Sequence, residues 1–87
     1  MNVSVELSLY PLTPNYEPVI TDFIKRLRAS DVQVATNPLS TQLTGDYDTV
    51  MKVLTEAMRP TLRGEAACSF VIKLLNVAIE PGRVVEV

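Results

Sequence analysis

Apolar and polar residues alternate through the first stretch of the chain, VSVELSLY. Successive side chains of a β-strand point to opposite faces of a sheet, so this pattern predicts a strand that ends where Pro11 interrupts it. Its apolar face consists of Val3, Val5, Leu7 and Leu9. Its other face consists of Ser4, Glu6, Ser8 and Tyr10. An ordinary solvent-exposed face would be rich in lysine, glutamate and threonine, so we expect this polar face to have a further role.

Two later stretches repeat apolar residues at the spacing of a helix. The first follows the proline-rich segment YPLTPNYEP, with Asn15 as the predicted N-cap and an end near Ser30. Its apolar positions are Val19, Ile20, Phe23, Ile24 and Leu27. The second follows Gly45, with Asp46 as the predicted N-cap, and Pro60 is expected to end it. Its apolar positions are Val50, Val53, Leu54, Ala57 and Met58.

Three further stretches are predicted strands. The segments DVQVATNPL and LSTQLTG lie so close together that we expect them to form a hairpin, interrupted by Asn37 and Pro38. The segment ACSFVIKLLNVAIE, residues 67–80, is the last long strand. After a turn at Pro81 and Gly82, the tail RVVEV can itself pair as an edge strand.

The resulting order, βαββαβ, predicts an α+β fold of the ferredoxin-like type over residues 1–87 as a single domain. In this sandwich a four-stranded antiparallel sheet carries both helices on one face. Besides the apolar face of the first strand, the helix side is expected to include Val32, Val34, Leu39, Leu43, Phe70, Ile72 and Leu74. The open face is expected to include Glu6, Ser8, Tyr10, Gln42, Thr44, Val71, Lys73, Leu75, Val77 and Ile79.

The open face is too apolar to be left in water in a monomer, so we expect it to be buried in a homo-oligomer. Glu6 and Lys73 lie in the middle of neighbouring strands, where a cross-strand ion pair competes with any ligand role. Thr41 alternates with Leu39 and Leu43 and so points toward the helices. There its hydroxyl needs a hydrogen-bond partner, from the backbone or from a ligand.

Composition excludes several classes of function. The chain has no histidine and one cysteine, Cys68, which removes the commonest general base and the usual zinc ligands. We therefore predict no catalytic residues, no metal site and no cofactor. The formal net charge is −2 and the basic residues are scattered, so no nucleic-acid surface is predicted. No apolar run approaches the ~20 residues of a membrane helix, and no signal peptide is recognised, so we expect a cytoplasmic protein.

The segments ELSLYPL and NPLSTQLTGDYDTVMKVL together resemble the YkoF-like family of small thiamine-binding proteins. Members share a first strand that ends close to SLYPLG, then a proline, a threonine shortly after it, and a GD pair that opens the second helix. The matching residues are Ser8, Leu9, Tyr10, Pro11, Leu12, Pro38, Thr41, Gly45 and Asp46. Where the family commonly has a glycine after YPL, this chain has Thr13.

The resemblance implies non-catalytic binding of thiamine or its hydroxymethylpyrimidine moiety by a cytoplasmic carrier or sensor. It also implies a dimer or tetramer formed through the sheets, with a pocket near the end of the first strand and the hairpin. Ser8, Tyr10 and Thr41 would supply polar or stacking contacts, and Glu6 would complement the cationic thiazolium. The full expected set is Glu6, Ser8, Tyr10, Pro11, Leu12, Pro38 and Thr41. A structural or regulatory oligomerisation module without a vitamin ligand remains the alternative.

Overall fold

The computed structural model describes all 87 residues, and its elements follow the predicted order βαββαβ. The strands are β1 (Asn2–Pro11), β2 (Gln33–Thr36), β3 (Thr41–Asp46) and β4 (Cys68–Leu75). The helices are α1 (Tyr16–Arg28) and α2 (Tyr47–Leu62). The strands form one antiparallel sheet in the order β2-β3-β1-β4, which confirms the ferredoxin-like α+β prediction. No helix is long and apolar enough to cross a membrane.

The core lies between the two helices and one face of the sheet. It contains the predicted apolar face of β1, together with Leu43, Phe23, Leu27, Val50, Leu54 and Ala57. The Phe23 ring packs edge-to-face against Phe70 of β4, with 5.0 Å between the ring centroids. The apolar residues identified by the period-two pattern of β1 and by the helical spacing in α1 and α2 therefore pack together in a single layer.

The predicted ends of the two helices are confirmed only in part. The amide of Thr49 donates to Asp46 Oδ2, as expected of an N-cap, whereas Asn15 occupies the N-cap position of α1 without a side-chain bond. The expectation that Pro60 ends α2 is wrong, because the helix continues to Leu62. Pro60 has no amide hydrogen for the Glu56 carbonyl, and the last turn is instead tied to α1 by Arg26, which donates to the Ala57 carbonyl and to Thr61 Oγ1.

The β2–β3 hairpin is shorter than predicted. Thr36 and Thr41 form its last pair, and the connecting turn occupies residues 37–40. Leu39 therefore lies in the turn and is 88% exposed, so its assignment to the core face is wrong. The physical reason is Asn37, whose side chain accepts hydrogen bonds from the amides of Leu39 and Ser40 and so reverses the chain.

The edge strand β4 is only partly covered. Ile72 and Leu74 pair with Leu7 and Val5 and so lie on the helix side of the sheet, as predicted. They are nevertheless 42% and 44% exposed, because the helices pack over β1 and β3 and leave the edge strand open.

The predicted long last strand is wrong, since β4 ends at Leu75. Residues 76–82, which we call the strap, cross the open face of the sheet. Ser4 on that face holds the strap by accepting from the amide of Ile79 and donating to the carbonyl of Val77, both at 2.7 Å. Two short hydrogen bonds to one serine thus replace continued strand pairing.

The far end of the strap is held over β3 and β2. The amide of Gly82 donates to Gln42 Oε1 at 2.9 Å, and Gly82 has a positive φ of 75°. A Cβ at this position would stand 3.1 Å from the Cβ of Ala35, so both conformation and space favour glycine. The tail 83–87 is exposed and unpaired, which contradicts its predicted pairing as an edge strand.

Leu27→Ala is expected to lower the free energy of unfolding by about 3 kcal/mol, because truncation of a fully buried leucine leaves a cavity. The matched control is Leu62→Ala in the other helix, where the side chain is 60% exposed and a change below about 0.5 kcal/mol is expected. Urea denaturation followed by circular dichroism measures both. Equal losses in the two variants would contradict this description of the core.

Candidate ligand-binding groove

A groove opens where β1 extends beyond its pairing with the neighbouring strand β3. The last pair between these strands is Leu7 with Thr41, and Ser8–Pro11 pair only with β4. On the free side of β1, the β2–β3 turn and the first turns of α1 face each other across a cavity of about 490 Å³. Unequal strand lengths in the centre of the sheet therefore create the groove.

Three segments line the groove. They are residues 7–12 of β1 and its following loop, residues 36–41 of the hairpin, and Tyr16, Ile20, Phe23 and Ile24 of α1. The α1 residues Ile20, Phe23 and Ile24 form an apolar wall continuous with the core, while Tyr10 and Tyr16 are half-exposed. The polar groups are hydroxyls, phenols and one amide. An apolar cavity with a few convergent hydrogen-bonding groups is the usual form of a small-molecule site.

Six of the seven predicted binding residues line this groove. They are Ser8, Tyr10, Pro11, Leu12, Pro38 and Thr41. The structure thus brings together two segments about thirty positions apart in sequence, the end of β1 and the hairpin turn.

Glu6 lies outside the groove. Its carboxylate Oε1 is 3.4 Å from Lys73 Nζ on β4, and its Oε2 accepts from Ser40 Oγ at 3.2 Å. The predicted cross-strand ion pair with Lys73 is therefore confirmed, and the residues stand directly opposite each other in the register. Glu6 lines a separate, smaller cavity with Gln42 and Lys73, and its expected role toward a ligand stays a prediction.

Thr41 is buried on the helix side of the sheet, as predicted. Its hydroxyl lies 3.1 Å from the hydroxyl of Thr36, the residue opposite it in the hairpin. The side chain thus has a protein partner, and the pair presents two neighbouring hydroxyls at the groove.

Several lining residues were not predicted from sequence, above all Thr36, Asn37, Ser40 and Tyr16. The alternation in the hairpin contains the signal for Thr36, because a turn after this residue places it opposite Thr41. Tyr16 follows the proline-rich loop directly, so a short connection from β1 to α1 puts it beside the strand end. No three His, Cys, Asp or Glu side chains come together as a possible metal site.

The hairpin turn that forms one wall is internally braced. Asn37 Oδ1 accepts from the amides of Leu39 at 2.8 Å and Ser40 at 3.1 Å, and the Asn37 amide donates to the Ser40 carbonyl. From β1, Ser8 Oγ donates to the Leu39 carbonyl at 3.2 Å. The groove wall is thus a hydrogen-bonded turn, attached to β1 by side chains.

Comparison with known proteins gives a family match. A family model described as thiamine-binding protein matches residues 5–78. A Streptococcus pneumoniae protein of known structure is 29% identical, with a TM-score of 0.79, and the match covers 91% of this chain and 89% of that one. A hypothetical protein of Methanocaldococcus jannascii is 27% identical, with a TM-score of 0.73 over 84% of this chain and 77% of that one.

A third structure supports the fold alone. It is a Thermotoga maritima protein whose description proposes thiamine biosynthesis or salvage. It is 17% identical, with a TM-score of 0.78, and the match covers 91% of this chain and 89% of that one. A search of curated proteins gave no match.

Asn37→Ala is expected to lower the free energy of unfolding by about 1–2 kcal/mol, because two backbone amides of the turn lose their acceptor. The same loss should speed hydrogen exchange at the amides of Leu39 and Ser40. Asn15→Ala is the control, since Asn15 makes no side-chain capping bond, and a change below about 0.5 kcal/mol is expected. Unchanged exchange at both turn amides in Asn37→Ala would argue against this account of the wall.

Proposed function

The chain belongs to the thiamine-binding protein family, and we propose that it binds thiamine or its hydroxymethylpyrimidine moiety in the groove beside the end of β1. The observation that carries this proposal is the convergence of six predicted binding residues on one cavity of about 490 Å³. That volume falls in the range typical of small-molecule sites.

The chemistry of the groove suits an aminopyrimidine. Such a ring is flat and aromatic, and it carries both hydrogen-bond donors and acceptors at its edge. The apolar wall of α1 and the exposed phenol rings of Tyr10 and Tyr16 offer surfaces for the ring faces. Ser8, whose hydrogen goes to the Leu39 carbonyl, offers an acceptor to the ring edge, and the Thr36–Thr41 pair offers one remaining hydroxyl donor together with acceptor sites.

We propose that the role is non-catalytic, as a carrier or a sensor in the cytoplasm. The polar side chains of the groove are those that commonly fix the orientation of a bound ligand, namely hydroxyls, phenols and an amide. Binding of the vitamin without its conversion is the function that such a lining supports best.

We also propose that the protein acts as a homo-oligomer, a dimer or a tetramer formed through the open sheet face. Val71 and Leu75 are apolar, lie on that face and are 58% and 42% exposed. The strap adds exposed Val77 and Ile79 to the same side. Exposed apolar residues that share one face, here on either side of Lys73, favour an interaction surface.

The binding proposal predicts a ligand-dependent rise in thermal stability. At about 100 times its Kd, a ligand adds roughly 2.7 kcal/mol to the stability of the native state and moves the melting midpoint of so small a domain by several degrees. The measurement is thermal melting with and without thiamine, hydroxymethylpyrimidine and thiamine phosphate. Thr41→Val and Ser8→Ala should each weaken binding about five- to tenfold, through loss of one hydrogen bond.

Thr44→Val is the matched control for Thr41→Val. Thr44 lies in the same strand and its hydroxyl donates to the Val3 carbonyl, but it does not line the groove. Its loss should lower stability and leave ligand affinity unchanged. If no compound shifts the midpoint of the folded wild-type protein, the oligomerisation module without a vitamin ligand becomes the preferred function.

The assembly proposal is tested by light scattering. We expect the wild-type protein to have the mass of a dimer or tetramer and Val71→Glu to have that of a monomer, because a carboxylate would have to be buried unpaired in the interface. Leu62→Glu, at an equally exposed position at the end of α2, should keep the wild-type mass. A monomeric wild-type protein, or a Val71→Glu variant of unchanged mass, would exclude this interface.

A further inference from the structure

The hairpin turn of the groove lies beside β1 without backbone pairing to it. The ladder between β1 and β3 ends at Leu7 and Thr41. Two side chains of β1 contact the turn itself. Ser8, just past the last pair, donates from Oγ to the Leu39 carbonyl at 3.2 Å, and Glu6, within the ladder, accepts from Ser40 Oγ at 3.2 Å through Oε2. These two side-chain hydrogen bonds are the direct ties between β1 and the turn wall outside the backbone ladder.

The Glu6 carboxylate is held from both sides. Its Oε1 is 3.4 Å from Lys73 Nζ on β4, while its Oε2 accepts from Ser40. The contacts Lys73–Glu6–Ser40 thus cross three elements of the sheet, from the edge strand through β1 to the turn. The side chains of both charged residues are substantially exposed, so the ion pair itself contributes little free energy. The hydrogen bond to Ser40 is therefore the contact through which Glu6 acts on the turn.

We infer that Glu6 is a positioning residue for the groove, which sets the place of the turn wall through Ser40 and does not contact the ligand. This inference rests on the proposed function, because it concerns affinity for the ligand in that groove. Ser40 lines the groove and Glu6 does not, so the carboxylate acts on the site only through the turn that it holds. Loss of the Glu6–Ser40 bond leaves Ser8 as the single side-chain tie between β1 and the turn.

Three variants separate the contacts of Glu6. Glu6→Leu removes both the bond to Ser40 and the ion pair. Glu6→Gln removes the charge but keeps a hydrogen bond to Ser40 in either orientation of its amide, because a hydroxyl both donates and accepts. Lys73→Met removes the ion pair alone. Hydroxymethylpyrimidine, which is uncharged, and thiamine, whose thiazolium is cationic, are the two probes.

Isothermal titration calorimetry of the full chain should show that Glu6→Leu binds both probes about fivefold more weakly than the wild type, which is the effect of one lost hydrogen bond. Glu6→Gln and Lys73→Met should stay within about twofold of the wild type for both probes. Hydrogen exchange at the amides of Leu39 and Ser40 should be faster in Glu6→Leu alone. Urea denaturation of each variant confirms that the compared proteins are folded.

Each contrary result has a distinct meaning. Wild-type affinity in Glu6→Leu overturns the inference. If Glu6→Gln weakens thiamine alone, Glu6 acts by attraction of the thiazolium charge, and the inference is again overturned. A loss in Lys73→Met as large as in Glu6→Leu assigns the effect to the ion pair and not to Ser40.

If the folded wild type binds neither probe, the proposed function fails, while the exchange rates at the turn still decide whether Glu6 holds the turn in place. If Glu6→Leu does not fold, Ser40→Ala provides the same exchange comparison.

Discussion

The pairing of β1 along both of its edges is the constraint on which the rest of the structure depends. The strand lies in the centre of the sheet, with β3 on one side and β4 on the other. Because its side chains alternate strictly, a shift of one residue in register would move the core valines and leucines of β1 to the open face. The observed register, with Leu7 opposite Thr41 and Glu6 opposite Lys73, therefore determines the positions of both the core and the groove.

The unusual polar face of β1 is explained by its contacts, residue by residue. Ser4 holds the strap, Glu6 joins Lys73 to Ser40, Ser8 binds the hairpin turn, and Tyr10 lines the groove. Only the contact with Lys73 requires a charged side chain, and Glu6 supplies it. Short hydroxyls serve at Ser4 and Ser8 because their partners are backbone groups that pass directly over or beside the strand.

The sequence was sufficient for the fold, because the fold depends on patterns that are local, whereas the groove residues were expected from the family resemblance and their binding role stays a prediction. Alternation in β1, helical spacing in α1 and α2, and the cap at Asp46 all report on a residue's immediate neighbours in the chain. Two of the wrong predictions involve a distant contact, whereas Leu39 was misplaced because of the local bonds of Asn37. The last turn of α2 is bonded to Arg26 of α1, and the strap leaves the sheet edge where Ser4 offers its backbone another partner. The exposure of Ile72 likewise depends on where the helices pack over the sheet. The residues near β4 in the sequence give no information on that position.

The position of β1 also determines the order in which the strands of the sheet can pair during synthesis. β1 is made before both of its neighbours, and the second of them, β4, begins only at Cys68, so that Ser4 meets the amide of Ile79 across 75 positions. During synthesis β1 can pair with β3 as soon as α1 and the hairpin have emerged, so the groove beside its end can form while the opposite edge of β1 is still open. A nascent chain therefore exposes a half-paired central strand until β4 has been made, and closure of the sheet follows formation of the β1–β3 ladder.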